Sequence, residues 1–90
     1  MKPFGIYYNS IKESSMYRSF YQFMLTYADP YKKDKQTAFA NVVSNDIGFP
    51  KHAEDYDTIV NYVELTDLYS NYLTIFDELW ETYMQRNQMI

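Results

Sequence analysis

The apolar residues of this chain recur at helical spacing in four stretches, each bounded by residues that start or stop a helix. Phe20, Phe23, Met24 and Tyr27 stand at i, i+3, i+4 and i+7, which share one face of a 3.6-residue repeat. Ser19-x-x-Gln22 has capping-box form, in which the serine oxygen accepts from the third amide and the glutamine reaches back. Asp29-Pro30 closes this segment, because a residue before proline is pushed out of the helical region. A second segment follows Tyr31-Lys32-Lys33-Asp34, with Asp34 as N-cap and Phe39, Val42, Val43 and, four residues on, Ile47 as the inward face. Gly48 is placed to end it in a left-handed conformation. Phe49-Pro50 then forces an extended connection, Phe49 dropping into the core while Pro50 fixes φ for the next turn.

The third segment is read from about Ala53 to Leu65. Tyr56, Ile59, Val60 and Val63 supply its stripe, and Glu54, Asp55 and Asp57 lie in its first turns, where the helix dipole favours anions. Thr66 and Asp67 mark a break, and a short extra turn over Asp67–Tyr69 raises the count from four helices to five. The last segment, from Leu68 or Ser70 to Gln85, is the longest. Tyr72, Ile75, Phe76, Leu79, Trp80 and Tyr83 keep one apolar face, with Asp77, Glu78 and Glu81 opposite. The pattern predicts an all-α, compact four- to five-helix domain over residues 18–90, with Phe39, Ile59, Phe76 and Trp80 in one core. Residues 1–17 show no sustained period and read as a flexible or loosely docked arm. Met16 offers an alternative start, with Lys12-Glu13 as the translated image of a purine-rich ribosome-binding sequence.

Composition sharpens the picture. A domain of ninety residues buries only roughly 60–65% of its unfolded surface, so its core must be efficient. Eleven Tyr, six Phe and one Trp supply that efficiency. Two Gly and three Pro leave few tight turns for a many-stranded sheet. With no cysteine, disulfides and thiolate metal sites are excluded. No apolar run reaches the ~18–20 residues that span a bilayer, and the N-terminus lacks a secretory segment, so a cytoplasmic protein with no membrane partner is expected. The net charge of −4 works against loose binding to nucleic acid or anionic lipid.

In order along the chain, Ser19-Phe20-Tyr21, Phe39-Ala40, Asp46, Phe49-Pro50-Lys51, Asp55-Tyr56, Ile59, Tyr62, Glu64, Tyr72, Phe76-Asp77-Glu78, Trp80 and Tyr83 resemble the YozE family of small proteins from Gram-positive bacteria. The resemblance covers about residues 19–84. It implies a fold similar to the sterile-alpha-motif (SAM) arrangement, and family members begin a few residues before the Ser-Phe-Tyr motif, in keeping with a start at Met16. It brings no catalytic or ligand residue with it. SAM-like folds elsewhere serve protein association and sometimes nucleic-acid binding, an analogy at the level of fold.

The chemistry-bearing residues are few. His52 is the single histidine; with no second histidine and no cysteine, neither a metal site nor general-base chemistry has its other members, and His52 is expected to cap or flank the third helix. No cofactor and no reaction are expected. Asp77, Glu78 and Glu81 read as a solvated face, with Asp77 as the one that caps or pairs with something buried. The aromatic stripe reads as core before ligand pocket. Lys32, Lys33 and Lys35, with Lys51 and His52, each precede a helix N-terminus, where unpaired amides favour anions. Two functions follow: a protein-interaction module, monomeric or weakly dimeric with a protein partner, and, as the alternative, a nucleic-acid-binding accessory using the Lys32–Lys35 and Lys51–His52 loops.

Overall fold

A computed structural model of the chain describes residues 19–88; the expected arm over residues 1–17, Met16 included, lies outside the described residues. Four helices, α1 (Phe20–Leu25), α2 (Lys35–Asn45), α3 (Tyr56–Leu65) and α4 (Leu73–Gln88), pack with a 3₁₀ turn at Asp67–Tyr69 between the last two. Among the described residues there is no strand. The all-α expectation and the extra turn both hold.

Three of the helices start on the same device. Ser19 Oγ accepts from the Gln22 N–H at 3.2 Å, Asp34 Oδ2 from the Thr37 N–H at 3.0 Å and Asp55 Oδ2 from the Thr58 N–H at 2.9 Å. In the two aspartate caps the threonine hydroxyl also donates to the carboxylate, at 2.9 Å from Thr37 and 2.7 Å from Thr58. These bonds hold both carboxyls below the ordinary aspartate range. α3 therefore begins at Tyr56 rather than near Ala53, and of the three acids expected in its first turns only Asp57 lies inside the helix.

α1 is shorter than its stripe. It ends at Leu25, Thr26 Oγ1 donating to the Phe23 carbonyl at 2.7 Å, and Tyr27 lies in the following turn. The chain is then clamped to α2. Asn41 Oδ1 accepts from the Asp29 N–H at 2.9 Å while its amide donates to the Asp29 carbonyl at 3.2 Å.

Phe20, Phe23 and Met24 of α1 meet Phe39, Ala40 and Val43 of α2, Ile59 and Val63 of α3 and Phe76, Leu79 and Tyr83 of α4 in one sealed core, joined by Phe49 and Tyr69. The Phe20 ring sits at the centre, 5.5 Å from those of Phe76 and Tyr83 and 5.3 Å from that of Trp80. Edge-on aromatic pairs at this separation contribute beyond the area they bury. Three inward assignments fail, the first being Tyr56, which is 43% exposed at the start of α3. Ile47 is 92% exposed because α2 stops at Asn45 and the chain turns away before reaching it. Trp80 is half-buried at the edge of the core rather than inside it.

The α2–α3 connection is organised by Asp46. Its Oδ2 accepts from the hydroxyls of Tyr69 at 2.6 Å and Tyr62 at 2.8 Å, and its Oδ1 from the Gly48 N–H at 3.0 Å. Burial raises the Asp46 carboxyl, but the bonds from Tyr69, Tyr62 and Gly48, with the nearby Lys51 charge, carry it net below the ordinary value. Burial and the same carboxylate push the Tyr69 and Tyr62 hydroxyls up. Gly48 does not take the left-handed conformation expected of it. Its role is steric, since a Cβ there would stand 2.9 Å from the Tyr62 hydroxyl. Phe49 is 2% exposed, its ring 5.5 Å from that of Tyr62 and 6.1 Å from that of Tyr69.

Phe49→Ala is expected to cost about 3 kcal/mol in denaturant unfolding, the range for removing a sealed aromatic ring. Trp80→Ala is expected to cost clearly less than Phe76→Ala in the same assay, in keeping with its place at the rim. Folding lowers the Asp46 pKa, so its contribution is present above the ordinary value of about 3.9 and fades as the pH falls from there through the folded value. Asp46→Asn should cost about 1–2 kcal/mol at neutral pH. It should also flatten the loss of stability below about pH 4, measured as the unfolding midpoint across an acid series.

Candidate functional site

Helix α4 carries a groove that it shares with the start of α3. Its lining comes from Tyr56, at the first position of α3, and from Asp77, Trp80, Glu81, Met84 and Gln85, and it encloses about 470 Å³. The α4 members repeat at i, i+4, i+7 and i+8 from Asp77, with Trp80 set beside them, so the helix itself lines them up in a strip. Tyr56 reaches across from α3 because it stands directly after the Asp55 cap. Its ring is 5.3 Å from that of Trp80 at 59° and stacks on Phe76 at 6.3 Å and 20°. Tyr56 is 43% exposed and Met84 37%.

The electrostatics are one-sided. Asp77 and Glu81 are exposed and one helical turn apart, and the lining holds no basic group. Burial pushes the Tyr83 hydroxyl up, and the charge of Glu54, in the connection before α3, pushes it the same way. Among the described residues Asp77 has no buried hydrogen-bond partner, contrary to the expectation for it. The carboxylate with that role is Asp46.

The basic residues picked out from sequence have other surroundings. Lys32 and Lys33 are exposed before α2, and Lys35 is its first residue. Lys35 lines a second depression of about 270 Å³ with Asn71, Thr74, Ile75 and Glu78. Lys51 is half-buried; its ammonium donates to the Ile47 carbonyl at 2.8 Å and lies 5.3 Å above the centre of the Tyr21 ring. His52 is exposed and precedes the α3 cap, which is Asp55. At both helix N-termini the capping amide is taken by the protein's own carboxylate, Asp34 or Asp55. Among the described residues no group of three or more His, Cys, Asp or Glu is placed to hold a metal ion. Nor is any described helix long and apolar enough to cross a membrane.

Sequence reasoning assigned Tyr56 and Trp80 to the core and Asp77 and Glu81 to the opposite, solvated face. The structure brings the four together. The signal was present in the 77–81–84–85 spacing, which puts a methionine on the acidic strip, and in Tyr56, whose place at the helix start leaves its ring free to lean outwards.

The comparisons with known proteins agree with this architecture. The model of a family described as the YozE SAM-like fold matches residues 19–85. A UPF0346 protein of Enterococcus faecalis is 45% identical over 73 residues, 81% of this chain and the whole length of that protein. A UPF0346 protein of Listeria innocua is 45% identical over 69 residues, 77% of this chain and 90% of its own length. One from Limosilactobacillus reuteri shows the same identity over 69 residues, 77% of this chain and 94% of its own. No solved structure matches. The family match runs from the Ser19 cap through the Asp46 junction and most of the grooved helix, and the chain belongs to the YozE family.

Proposed function

We propose that this domain is a cytoplasmic protein-interaction module that receives a protein partner in the groove between Tyr56 and α4. The observation that carries this reading is the half-buried Trp80, flanked by exposed Tyr56 and Met84 in one concavity. Phe20, Phe23, Phe39, Phe49, Tyr69, Phe76 and Tyr83 are sealed in the core, and burying rings is what stabilises so small a domain. Tryptophan and tyrosine at the edge of a groove are the residue types that dominate protein interfaces, and methionine adapts to the shape of a partner. Among the described residues no nucleophile stands with a partnered base, and His52 lies exposed in a connection.

The nucleic-acid alternative receives less support. Lys51 is engaged with Ile47 and Tyr21, Lys35 shares its depression with Glu78, and the capping amides of α2 and α3 already hold carboxylates. Phosphate recognition needs cations and amides free together.

Capture on the immobilised domain tests the reading. Proteins bound by the wild type after nuclease treatment are expected to fall at least fivefold on the double variant Tyr56→Ser/Met84→Ser, whose folding is checked by circular dichroism. Capture unchanged by that variant overturns the proposal. Capture lost to nuclease and to Lys32→Glu/Lys33→Glu/Lys35→Glu supports the basic loops instead.

A further inference from the structure

We infer that the segment received by the groove is cationic: an arginine- or lysine-bearing stretch of the partner protein, its charge set against the Trp80 and Tyr56 rings and met by Asp77 and Glu81. The inference rests on the reading of the groove as an interaction face and adds the chemistry of its occupant.

Two independent features of the groove select a cation. The first is the charge of its lining, two carboxylates and no basic group. Asp77 and Glu81 stand four residues apart on one helix face, where like charges repel each other and an intervening cation relieves the repulsion. The basic groups with described contacts sit elsewhere: Arg86 lies 5.9 Å from the centre of the Phe23 ring, Lys51 is held at Ile47 and Tyr21, and Lys35 lines the other depression. The second feature is the aromatic corner. Tyr56 and Trp80 meet at 59° with centroids 5.3 Å apart and both line the groove, so a guanidinium seated there lies beside two aromatic rings of the kind that attract a cation within ~6 Å. The protein itself already sets Lys51 over Tyr21 and Arg86 over Phe23 at such distances.

Other occupants fit less well. A wholly apolar segment would desolvate Asp77 and Glu81 and return nothing to them. A phosphate backbone would meet two like charges. The net charge of −4 draws a basic partner in from a distance.

Trp80 is the single tryptophan, so its emission reports the groove directly. The probe is a short peptide of alternating arginine and leucine, compared with the same peptide carrying citrulline, which keeps the shape and hydrogen-bonding edge of arginine without its charge. At near-physiological salt the arginine peptide is expected to give a saturable change in emission. Its affinity should be at least tenfold above that of the citrulline peptide. Asp77→Asn/Glu81→Gln should weaken it at least tenfold, while Glu64→Gln/Asp67→Asn, which removes two exposed acids outside the groove, should change it less than twofold. The inference is overturned by equal affinity for the citrulline peptide, by an equal loss in the remote variant, or by the absence of saturable binding. A failed titration beside capture that still depends on Tyr56 and Met84 removes the cationic occupant and leaves the interaction face; failed capture removes the face itself.

Discussion

The carboxylate of Asp46 decides where four parts of this chain meet. The Asp46 backbone N–H closes α2 on the Val43 carbonyl, while the carboxylate takes the Gly48 amide of the following turn and receives hydroxyls from Tyr62 on α3 and Tyr69 in the 3₁₀ turn. Those two phenols sit among apolar rings, where a donor without an acceptor is costly. Once they are paired, Phe49 can pack against both rings and the connection that carries it has little freedom left. Gly48 belongs to the same constraint, because the Tyr62 hydroxyl occupies the space a side chain would need.

Around that junction the molecule divides its aromatic residues into two populations. Phe20, Phe23, Phe39, Phe49, Tyr69, Phe76 and Tyr83 are sealed and replace the long helices and large core that a chain of this length lacks. Tyr56 and Trp80 stand at the margin, touching the core through Phe76 while keeping a face towards the acidic strip of α4. The same helix thus contributes Phe76, Leu79 and Tyr83 to stability and Asp77, Glu81 and Met84 to a surface, the two sets separated only by their position around the axis.

Much of the fold was legible in the sequence because it is written in local signals. Helical periodicity located all four helices, the Ser19 and Asp34 caps were visible as side chains of the right type before an apolar stripe, and the short turn at Asp67–Tyr69 showed as a break. What escaped is non-local or depends on where a turn points. Asp55-x-x-Thr58 repeats the spacing of Asp34-x-x-Thr37, yet acids on either side of Asp55 made the start of α3 ambiguous. Ile47 continued the period of α2, which cannot reveal that the helix has already ended. Asp46 pairs with tyrosines 16 and 23 residues away, and no local pattern carries a bond of that span. The groove was missed for a related reason: a stripe says which residues share a face, whereas burial depends on how far the neighbouring helix covers it.

The contact between α1 and α4 constrains how this chain can be made. Phe20 and Phe23 are synthesised before α4 and find Phe76, Trp80 and Tyr83 only when that helix has been made. A six-residue helix is too short to persist without such packing. Until α4 has been made, the α1 rings therefore lack their α4 partners. The contact joins the first and last of the described helices, so the core closes only when both are present.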